Sequence, residues 1–459
     1  SKSERDKAER LLREVVAIEP GKLQYRSNLA AFLSQTKQLD KAETVLREAV
    51  QADPKDPQRH LLLADFLASR VNVKKAETEL LASIKSLPDA NELRFALGML
   101  YEQAGALDKS AAAYREVASS EGKKPDGLKA RNKLANILLA QNQSAEADKL
   151  INEVLKENPR DNDALILQGK AALNKGDGLT AINSLRAVLK DQPTSPEVLG
   201  LLADAHLLNN EPELARESLK KGVEANPKNV AVRLRLAQFL ARKKDFAESL
   251  KELDKALAIA PNDVSALQAK AEVQAANQDL KGAESTIDRI KTAQPSNPLG
   301  FYRMGQLYGT QKKHDLALRE YEQALKISSN PAEPLTAIVS TYLAQGKPDK
   351  AINRLNDALK DKPDLAIAHE LLGEVYLSQK QFAEAEKSLR KASEINPKWN
   401  TTYLGLAKLR AVQNDMPGAI KSLEAGLKAV PDDAQLLFTL ASTQEANRDH
   451  EEKYFSQRL

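Results

Sequence analysis

The sequence predicts an all-α fold, a solenoid of about thirteen stacked antiparallel helix pairs. Three observations predict it. Prolines recur every 34 residues, small and large apolar side chains recur in fixed phase with them, and turn-forming residues lie midway between successive prolines. Self-similarity at a fixed period of this length is typical of repeat proteins in which each unit is one helix pair.

The prolines set the period. They are Pro20, Pro54 and Pro88, then Pro125, Pro159, Pro193, Pro227, Pro261 and Pro295, and finally Pro363, Pro397 and Pro431. Ser329 stands where one further proline is expected. The step from Pro88 to Pro125 is 37 residues, so three extra residues lie near 119–125. We expect this insertion to lengthen one loop without interrupting the array.

Three slots recur before each phase position. A small residue lies 24 positions upstream, the first crossing slot: Ala30, Ala64, Gly98, Ala135, Gly169, Ala203, Ala237, Ala271, Gly305, Val339, Gly373 and Ala407. Another lies 12 upstream, the second crossing slot: Ala42, Ala76, Ser110, Ala147, Ala181, Ala215, Ser249, Ala283, Ala317, Ala351, Ala385 and Ala419. A large apolar residue lies 8 upstream, the filler slot: Leu46, Leu80, Tyr114, Ile151, Leu185, Leu219, Leu253, Ile287, Tyr321, Leu355, Leu389 and Leu423. Two helices that cross closely need small residues at the crossing and large ones beside it.

Helix boundaries fit the same phase. Asp56, Ser195 and Asn297 each precede a proline, which predicts a capping side chain followed by a first helical turn. The turns within pairs carry Gly, Asn or Lys, as at Gly105 and Gly346. Each period therefore predicts two helices joined by a short turn.

Composition excludes several classes of protein. No apolar run reaches the roughly 18 residues that span a bilayer, so the sequence predicts no transmembrane segment. Basic and acidic residues number 68 and 64 and are interleaved, and aromatic residues make up 4%, so we expect no nucleic-acid partner. The chain has no cysteine, which excludes disulfides and thiolate chemistry.

These repeats resemble the tetratricopeptide repeat (TPR) family over essentially the whole chain. The resemblance implies a right-handed superhelix in which the first helix of each pair lines a concave groove for a partner protein or an extended peptide. Residues 1–22 are predicted to be the second helix of a truncated repeat, residues 23–431 a continuous array, and residues 432–459 a degenerate terminal repeat or cap. Lys453 in that last segment occupies a position that calls for a small residue.

Catalysis is not expected. The five histidines lie in separate repeats without metal-ligand spacing, and no phosphate-binding loop or nucleophile elbow is present. We therefore expect no enzyme activity, no metal and no cofactor. The Lys, Asn and Arg set of carboxylate-clamp cochaperones is absent from any three adjacent repeats, and the asparagine ladder of O-linked N-acetylglucosamine transferases is absent too.

Partner binding is therefore expected in the groove implied by the resemblance. The side chains predicted to contact a partner are Leu61, Phe95, Met99, Asn132, Asn136, Gln238, Tyr302 and Gln306. Further groove positions are Leu139, Ile166, Leu207, Leu234, Leu404 and Phe438, which are apolar, and Gln268, Glu370 and Glu374, which are polar. Phe95 and Met99, one helical turn apart, are the most promising pair.

The predicted function is a non-catalytic scaffold for protein–protein interaction. The long Ala-, Lys- and Gln-rich array resembles in style the bacterial TPR lipoproteins of exopolysaccharide export and PEP-CTERM sorting, which implies a periplasmic or cell-envelope location. The alternatives are a cytoplasmic TPR adaptor or cochaperone-like protein, and the TPR arm of a larger enzyme. Self-association through the array ends is a further possibility.

Overall fold

The computed structural model describes residues 2–456, and the side chains of residues 4–448. All regular structure in this part of the chain is helical. The chain forms two compact units, residues 1–232 and residues 233–459. Residues 1 and 457–459, which belong to the predicted terminal segments, lie outside the described residues, and the predicted domain bounds stay predictions.

The first unit runs from α1 into α14. Its helices are α1 (Lys2–Ile18), α2 (Leu23–Gln35), α3 (Leu39–Ala52), α4 (Pro57–Phe66), α5 (Val73–Ser86), α6 (Asn91–Gln103), α7 (Leu107–Glu121), α8 (Pro125–Ala140), α9 (Ser144–Glu157), α10 (Asn162–Lys175), α11 (Gly178–Asp191), α12 (Pro196–Leu208) and α13 (Pro212–Ala225). A π-helical turn, Leu67–Val71, continues α4.

The second unit begins within α14 (Val230–Arg242). It continues with α15 (Phe246–Ile259), α16 (Val264–Ala276), α17 (Leu280–Ala293), α18 (Leu299–Thr310), α19 (His314–Ile327), α20 (Ala332–Ala344), α21 (Pro348–Asp361), α22 (Ala366–Ser378), α23 (Phe382–Ile395), α24 (Asn400–Val412), α25 (Met416–Ala429) and α26 (Ala434–Ser456). The described helices α2 to α25 thus make twelve consecutive pairs, and the predicted fold class is confirmed.

The two crossing slots and the filler slot form the core. All twelve residues of the second crossing slot are at most 1% exposed, and the filler residues are at most 6% exposed. Where serine occupies the second crossing slot, its hydroxyl donates to the carbonyl opposite: Ser110 Oγ to Gly98 O at 2.8 Å and Ser249 Oγ to Ala237 O at 2.7 Å. Burying a filler leucine contributes about 2 kcal/mol, so the recurring slots supply much of the stability of each pair.

The turn inside each pair has one geometry in eleven of the twelve pairs. The second residue after the first helix, or the first residue after it in the case of α10, lies in the left-handed region, as at Lys37 (φ 61°), Gly105 (φ 70°) and Gly176 (φ 80°). The next amide closes the turn by donating to a carbonyl five residues back, for example Gln38 N to Leu33 O at 2.8 Å. This is the Schellman motif, which satisfies carbonyls that the helix end leaves unpaired.

The exception is the pair formed by α4 and α5. Val71 occupies the position that is left-handed in the other pairs, and a β-branched residue disfavours that region. The chain forms the π-helical turn instead, which keeps the closing hydrogen bond, from Asn72 N to Leu67 O at 2.9 Å.

The three-residue insertion does not lengthen a loop, so that expectation is wrong. Only residues 122–124 separate α7 from α8, whereas four residues separate α3 from α4. The extra residues extend the two flanking helices, α7 with 15 residues and α8 with 16, and Pro125 occupies the first position of α8, where proline is favoured.

Helix starts follow the predicted caps. The Asp56 side chain accepts from Gln58 N at 3.0 Å, and Ser195 Oγ accepts from Val198 N at 3.5 Å. The Asn297 side chain accepts from Leu299 N at 3.0 Å, and α18 begins at Leu299, one residue after the predicted proline.

Candidate functional site

The predicted partner contacts lie on the side of the first helices that we call the first-helix face. It consists of the residues three positions before and one position after the first crossing slot. In α8 these are Asn132 and Asn136, and in α18 they are Tyr302 and Gln306. The face places them on successive first helices but does not expose them equally.

The apolar predictions divide into core and surface residues. Phe95 is 7% exposed and packs against Tyr114, with ring centroids 5.9 Å apart, so it belongs to the core. Met99 is 48% exposed, and the two do not form an exposed apolar pair. Leu61 is half-buried, and Tyr302 is half-buried against Tyr321 with centroids 5.6 Å apart. Of the further positions, Leu139 is buried, Ile166, Leu207, Leu234 and Leu404 are half-buried, and Phe438 is exposed.

A cavity of about 240 Å³ opens on the first-helix face of the first unit. Three successive first helices, α8, α10 and α12, line it. The lining includes the predicted residues Asn132, Asn136 and Ile166. The structure therefore brings three of the predicted positions to one place.

Asn132 has an unusual environment in this cavity. It is 6% exposed, and its Nδ2 donates to Asp161 Oδ1 at 2.9 Å. Asp161 is the capping residue of α10 and also accepts from Ala164 N at 2.9 Å. Because an ionised carboxylate only accepts hydrogen bonds, it fixes the Asn132 amide with its nitrogen toward Asp161. The buried Oδ1 of Asn132 has no hydrogen-bond partner among the described residues.

Three lysines and two carboxylates, Asp163 and Glu197, line this cavity. Lys129 is exposed, and its Nζ lies 4.7 Å from the centroid of the Phe95 ring. Lys133 is half-buried, and within the described part of the chain neither lysine has an acidic group within ion-pair distance. Lys170, on the opposite wall, is paired with Glu197 at 2.8 Å. Two lysine charges on α8 are thus left to attract an anion.

The second unit has two cavities on the same kind of face. One of about 150 Å³ has an apolar floor that includes Ile287 and Ile290, and its rim includes the predicted Gln268 and Gln306. Its neighbour, of about 350 Å³, is lined by the predicted Gln238. Glu272 lines both cavities, so the two adjoin.

Arginine organises the polar rim of the smaller cavity. Arg303 Nη1 donates to Gln306 Oε1 at 2.9 Å, and Nη2 lies 3.5 Å from Glu272 Oε1. These contacts orient the Gln306 amide, which leaves its nitrogen as a donor at the cavity edge.

Glu370 and Glu374 lie one turn apart on α22. Glu370 is 6% exposed, and burial raises the pKa of its carboxyl, an effect opposed by a hydrogen bond from Thr401. The pKa of Glu374 is raised as well, again chiefly by desolvation, but its side chain is the more exposed of the two. Both shifts follow from taking a carboxylate out of water.

Three of the histidines lie within hydrogen-bond distance of neighbouring groups. His60 Nε2 lies 3.0 Å from Pro54 O, and His369 Nε2 lies 2.9 Å from Pro363 O. The two histidines occupy the same position in their repeats, and each contacts the carbonyl of the recurring proline. His206 Nδ1 lies 2.6 Å from Glu211 Oε2. Over the residues that the structure describes, no three His, Asp or Glu side chains are grouped as metal ligands, and no helix is long and apolar enough to cross a membrane.

Sequence profiles decide the family. Profiles described as tetratricopeptide repeat match residues 60–126, 132–196, 166–230 and 336–398, residues 3–66, 210–271 and 376–442, and residues 300–331. Together these stretches cover more than half of the chain. The chain belongs to the tetratricopeptide repeat family. A TPR fold serves protein–protein interaction, and the coarse prediction of an interaction scaffold is thereby supported.

Two curated relatives are similar to parts of this TPR chain. The BBSome complex member BBS4 of Bos taurus is 30% identical over 125 residues, which are 27% of this chain and 24% of that protein. BBS4 of Mus musculus is 25% identical over 165 residues, 36% of this chain and 31% of that protein. The chain thus spans less than a third of the length of either relative.

Solved TPR structures are similar over nearly the whole chain but at low identity. Yeast Tom70 is 17% identical with a TM-score of 0.43, covering 94% of this chain and 98% of Tom70. The APC/C hetero-tetramer Cut9–Hcn1 is 14% identical with a TM-score of 0.33, covering 96% and 94% of the two chains. Naa15/Naa10 bound to HypK-THB is 16% identical with a TM-score of 0.36, covering 98% and 85%. With TM-scores below 0.5, these likenesses say nothing about partners.

Sequence reasoning missed the charged residues of the TPR cavities. Lys129 and Lys133 are four residues apart in α8, beside Asn132 and Asn136, and a spacing of four places side chains on one helix face. That spacing is visible in the sequence, whereas the lack of acidic partners depends on the packing of neighbouring helices.

Proposed function

We propose that this TPR chain is a non-catalytic scaffold that binds an extended segment of a partner protein along its first-helix face. The supporting observation is that, in both units, cavities between consecutive first helices carry amide side chains at their rims, at Asn136, Gln238 and Gln306. An amide side chain both donates and accepts, which suits the alternating N–H and C=O groups of an extended backbone.

The setting that we propose is a bacterial cell envelope, in an exopolysaccharide or protein-export system. Its support is the style of the array, a long run of degenerate repeats rich in Ala, Lys and Gln. A cytoplasmic adaptor, or the repeat arm of a larger enzyme, would present the same first-helix face. The identity of the captured partner distinguishes these settings.

Site-specific photo-crosslinking tests the proposal. A benzophenone amino acid replaces Asn136 in the first unit or Gln306 in the second, and matched controls carry it at Lys149 and Lys281, which are exposed on second helices. Each protein is irradiated in envelope and in cytosolic fractions of the source cell. We expect crosslinks to one protein from the two first-helix positions and none from the controls.

The outcomes separate the parts of the proposal. Crosslinks from the controls alone would overturn binding on the first-helix face. A partner found only in the cytosolic fraction would overturn the envelope setting and leave the scaffold role intact. Turnover of a captured small substrate by the purified chain would overturn the non-catalytic role.

We also propose self-association through the terminal helices. Leu11 and Ile18 of α1 are 48% and 77% exposed, and Leu437 and Phe438 of α26 are 50% and 74% exposed. Apolar residues on helix faces favour association with a second copy. Sedimentation velocity over a hundredfold range of concentration should show growing species, which Phe438→Glu abolishes; a monomer at every concentration would refute the idea.

A further inference from the structure

We propose that the cavity between α8, α10 and α12 is a binding site for an aspartate or glutamate side chain within an extended segment of a partner protein. This rests on the proposed function and assigns a specificity to one stretch of the first-helix face. Its parts are the acceptor Asn132 Oδ1 and the lysines at 129 and 133.

The acceptor calls for a donor from outside the chain. Asn132 Oδ1 is buried and has no partner among the described residues, although most buried polar atoms in proteins are hydrogen-bonded. The amide cannot turn to satisfy it, because Asp161 holds Nδ2 and accepts only. A backbone N–H of a bound segment supplies the missing hydrogen bond and adds no charge to the buried position.

The two lysines determine which charge the ligand side chain beside Asn132 carries. Lys129 is held in place by the Phe95 ring, since a cation over an aromatic face is attracted to it. Lys133 lies one turn further along α8, on the same side as Lys129. With no carboxylate of the described chain paired to either, the two ammonium groups favour a carboxylate from the ligand, next to the N–H bound at Asn132.

The opposite wall limits the site to one acidic residue. Asp163 and Glu197 line the cavity on α10 and α12, and Glu197 takes up the charge of Lys170 at 2.8 Å. A second carboxylate directed toward this wall would be repelled. The lining by three successive helices also suits a segment that continues past the cavity, so the carboxylate is that of an internal side chain and not of a chain end.

Peptide selection on the full chain tests the proposal. A display library of random decapeptides is selected on the wild-type protein, on Lys129→Glu with Lys133→Glu, and on a control with Lys387→Glu and Lys391→Glu, which are also four residues apart and exposed on a second helix. We expect wild type and control to enrich peptides with one Asp or Glu at a fixed position, and the α8 variant to lose that preference.

Titration of one enriched peptide gives the size of the effect. With a fluorescein label, its affinity should fall about tenfold or more in the α8 variant, fall with added NaCl, and fall on amidating its one internal carboxylate. Asn132→Leu should also weaken binding while melting stays close to that of wild type. If Asn132→Leu lowers the melting temperature, the lysine variant decides the test, since its changes are at an exposed and a half-buried lysine and not in the core.

The results distinguish this inference from the proposed function. Enriched peptides without an acidic preference, or with one indifferent to the lysine variant, would overturn the acidic site and leave groove binding intact. Binding that requires a free C-terminal carboxylate would also overturn it. If no peptide is enriched on any of the three proteins, the proposed function and this inference fail together.

Discussion

The helix crossing at Gly98 provides a quantitative test of the roles assigned to the crossing and filler slots. Gly98 on α6 faces the ring of Tyr114 on α7, and a methyl group at Gly98 would lie 2.6 Å from Tyr114 Cζ. The ring cannot retreat, because Tyr114 is 0% exposed and its hydroxyl donates to Glu102 at 2.6 Å. Gly98→Ala should therefore destabilise α6 and α7.

The magnitude is a balance of two terms. Overpacking at a fixed ring costs about 3 kcal/mol, the upper end of its usual range. Alanine is favoured over glycine in a helix interior by about 1 kcal/mol. The net loss for Gly98→Ala is thus about 2 kcal/mol. Adding Tyr114→Leu should recover part of it, since Ala203 with Leu219 already forms such a pair, giving a coupling of about 1 to 3 kcal/mol.

Hydrogen exchange is the suitable assay, because long repeat arrays do not unfold in two states. Amides of α6 and α7 should exchange faster in Gly98→Ala, while those of helices several pairs away keep the wild-type rate, since contacts are between neighbours. Gly169→Ala is the matched control. Its methyl would lie 2.9 Å from the Leu185 side chain, a longer approach to a residue that no hydrogen bond anchors, so we expect a smaller loss than in Gly98→Ala. The roles assigned to the crossing and filler slots would be refuted if the amides of α6 and α7 kept their wild-type protection in Gly98→Ala. A coupling energy of zero between Gly98→Ala and Tyr114→Leu would refute them too.

Further predictions concern the turns and the alkaline limit of stability. Lys244 has φ 62°, so Lys244→Gly should raise the free energy of unfolding of its pair by about 1 kcal/mol, whereas Lys243→Gly should not; equal protection of α15 amides in both would contradict this. Burial, and then the hydrogen bond to Glu77, raise the pKa of Tyr101 to about 12. Its stabilising contribution is complete below pH 10, the pKa of the unfolded chain, and is lost between pH 10 and about 12. In Tyr101→Phe, the urea concentration at the unfolding midpoint should fall less steeply between pH 9 and 11.5 than in the wild type. An equal dependence on pH in the two proteins would disprove this.

Much of the fold could be predicted because its determinants repeat. A small residue such as Ala283 is informative because the same slot is small in every pair, and the structure buries it fully. The turn residues were harder to interpret. Lys37 and Lys312 adopt the left-handed conformation that glycine adopts in other pairs. Lysine is not typical of that conformation, so the residue type does not predict it. The π-helical turn at Val71 follows from one β-branched residue at that position.

The candidate site was predicted only in part, because its properties arise between helices. Asn132 and Asn136 were assigned to a partner-binding face from the repeat phase together with the geometry that the TPR resemblance implies. The free acceptor of Asn132 depends on Asp161, which lies 29 residues away and was not part of that pattern. Phe95 was expected at the surface, but a tyrosine at the filler slot of the same pair places it in the core.

The pairwise packing of successive helices also has a consequence for synthesis on the ribosome. Within each unit, a helix contacts mainly the helices just before and after it, so a pair needs only the next repeat of 34 residues to cover its apolar side. At ordinary translation rates that repeat emerges in about 2 to 7 s. Each pair can therefore be covered before the C-terminal repeats are synthesised. The apolar surface exposed to non-native contacts at any moment is that of a single pair.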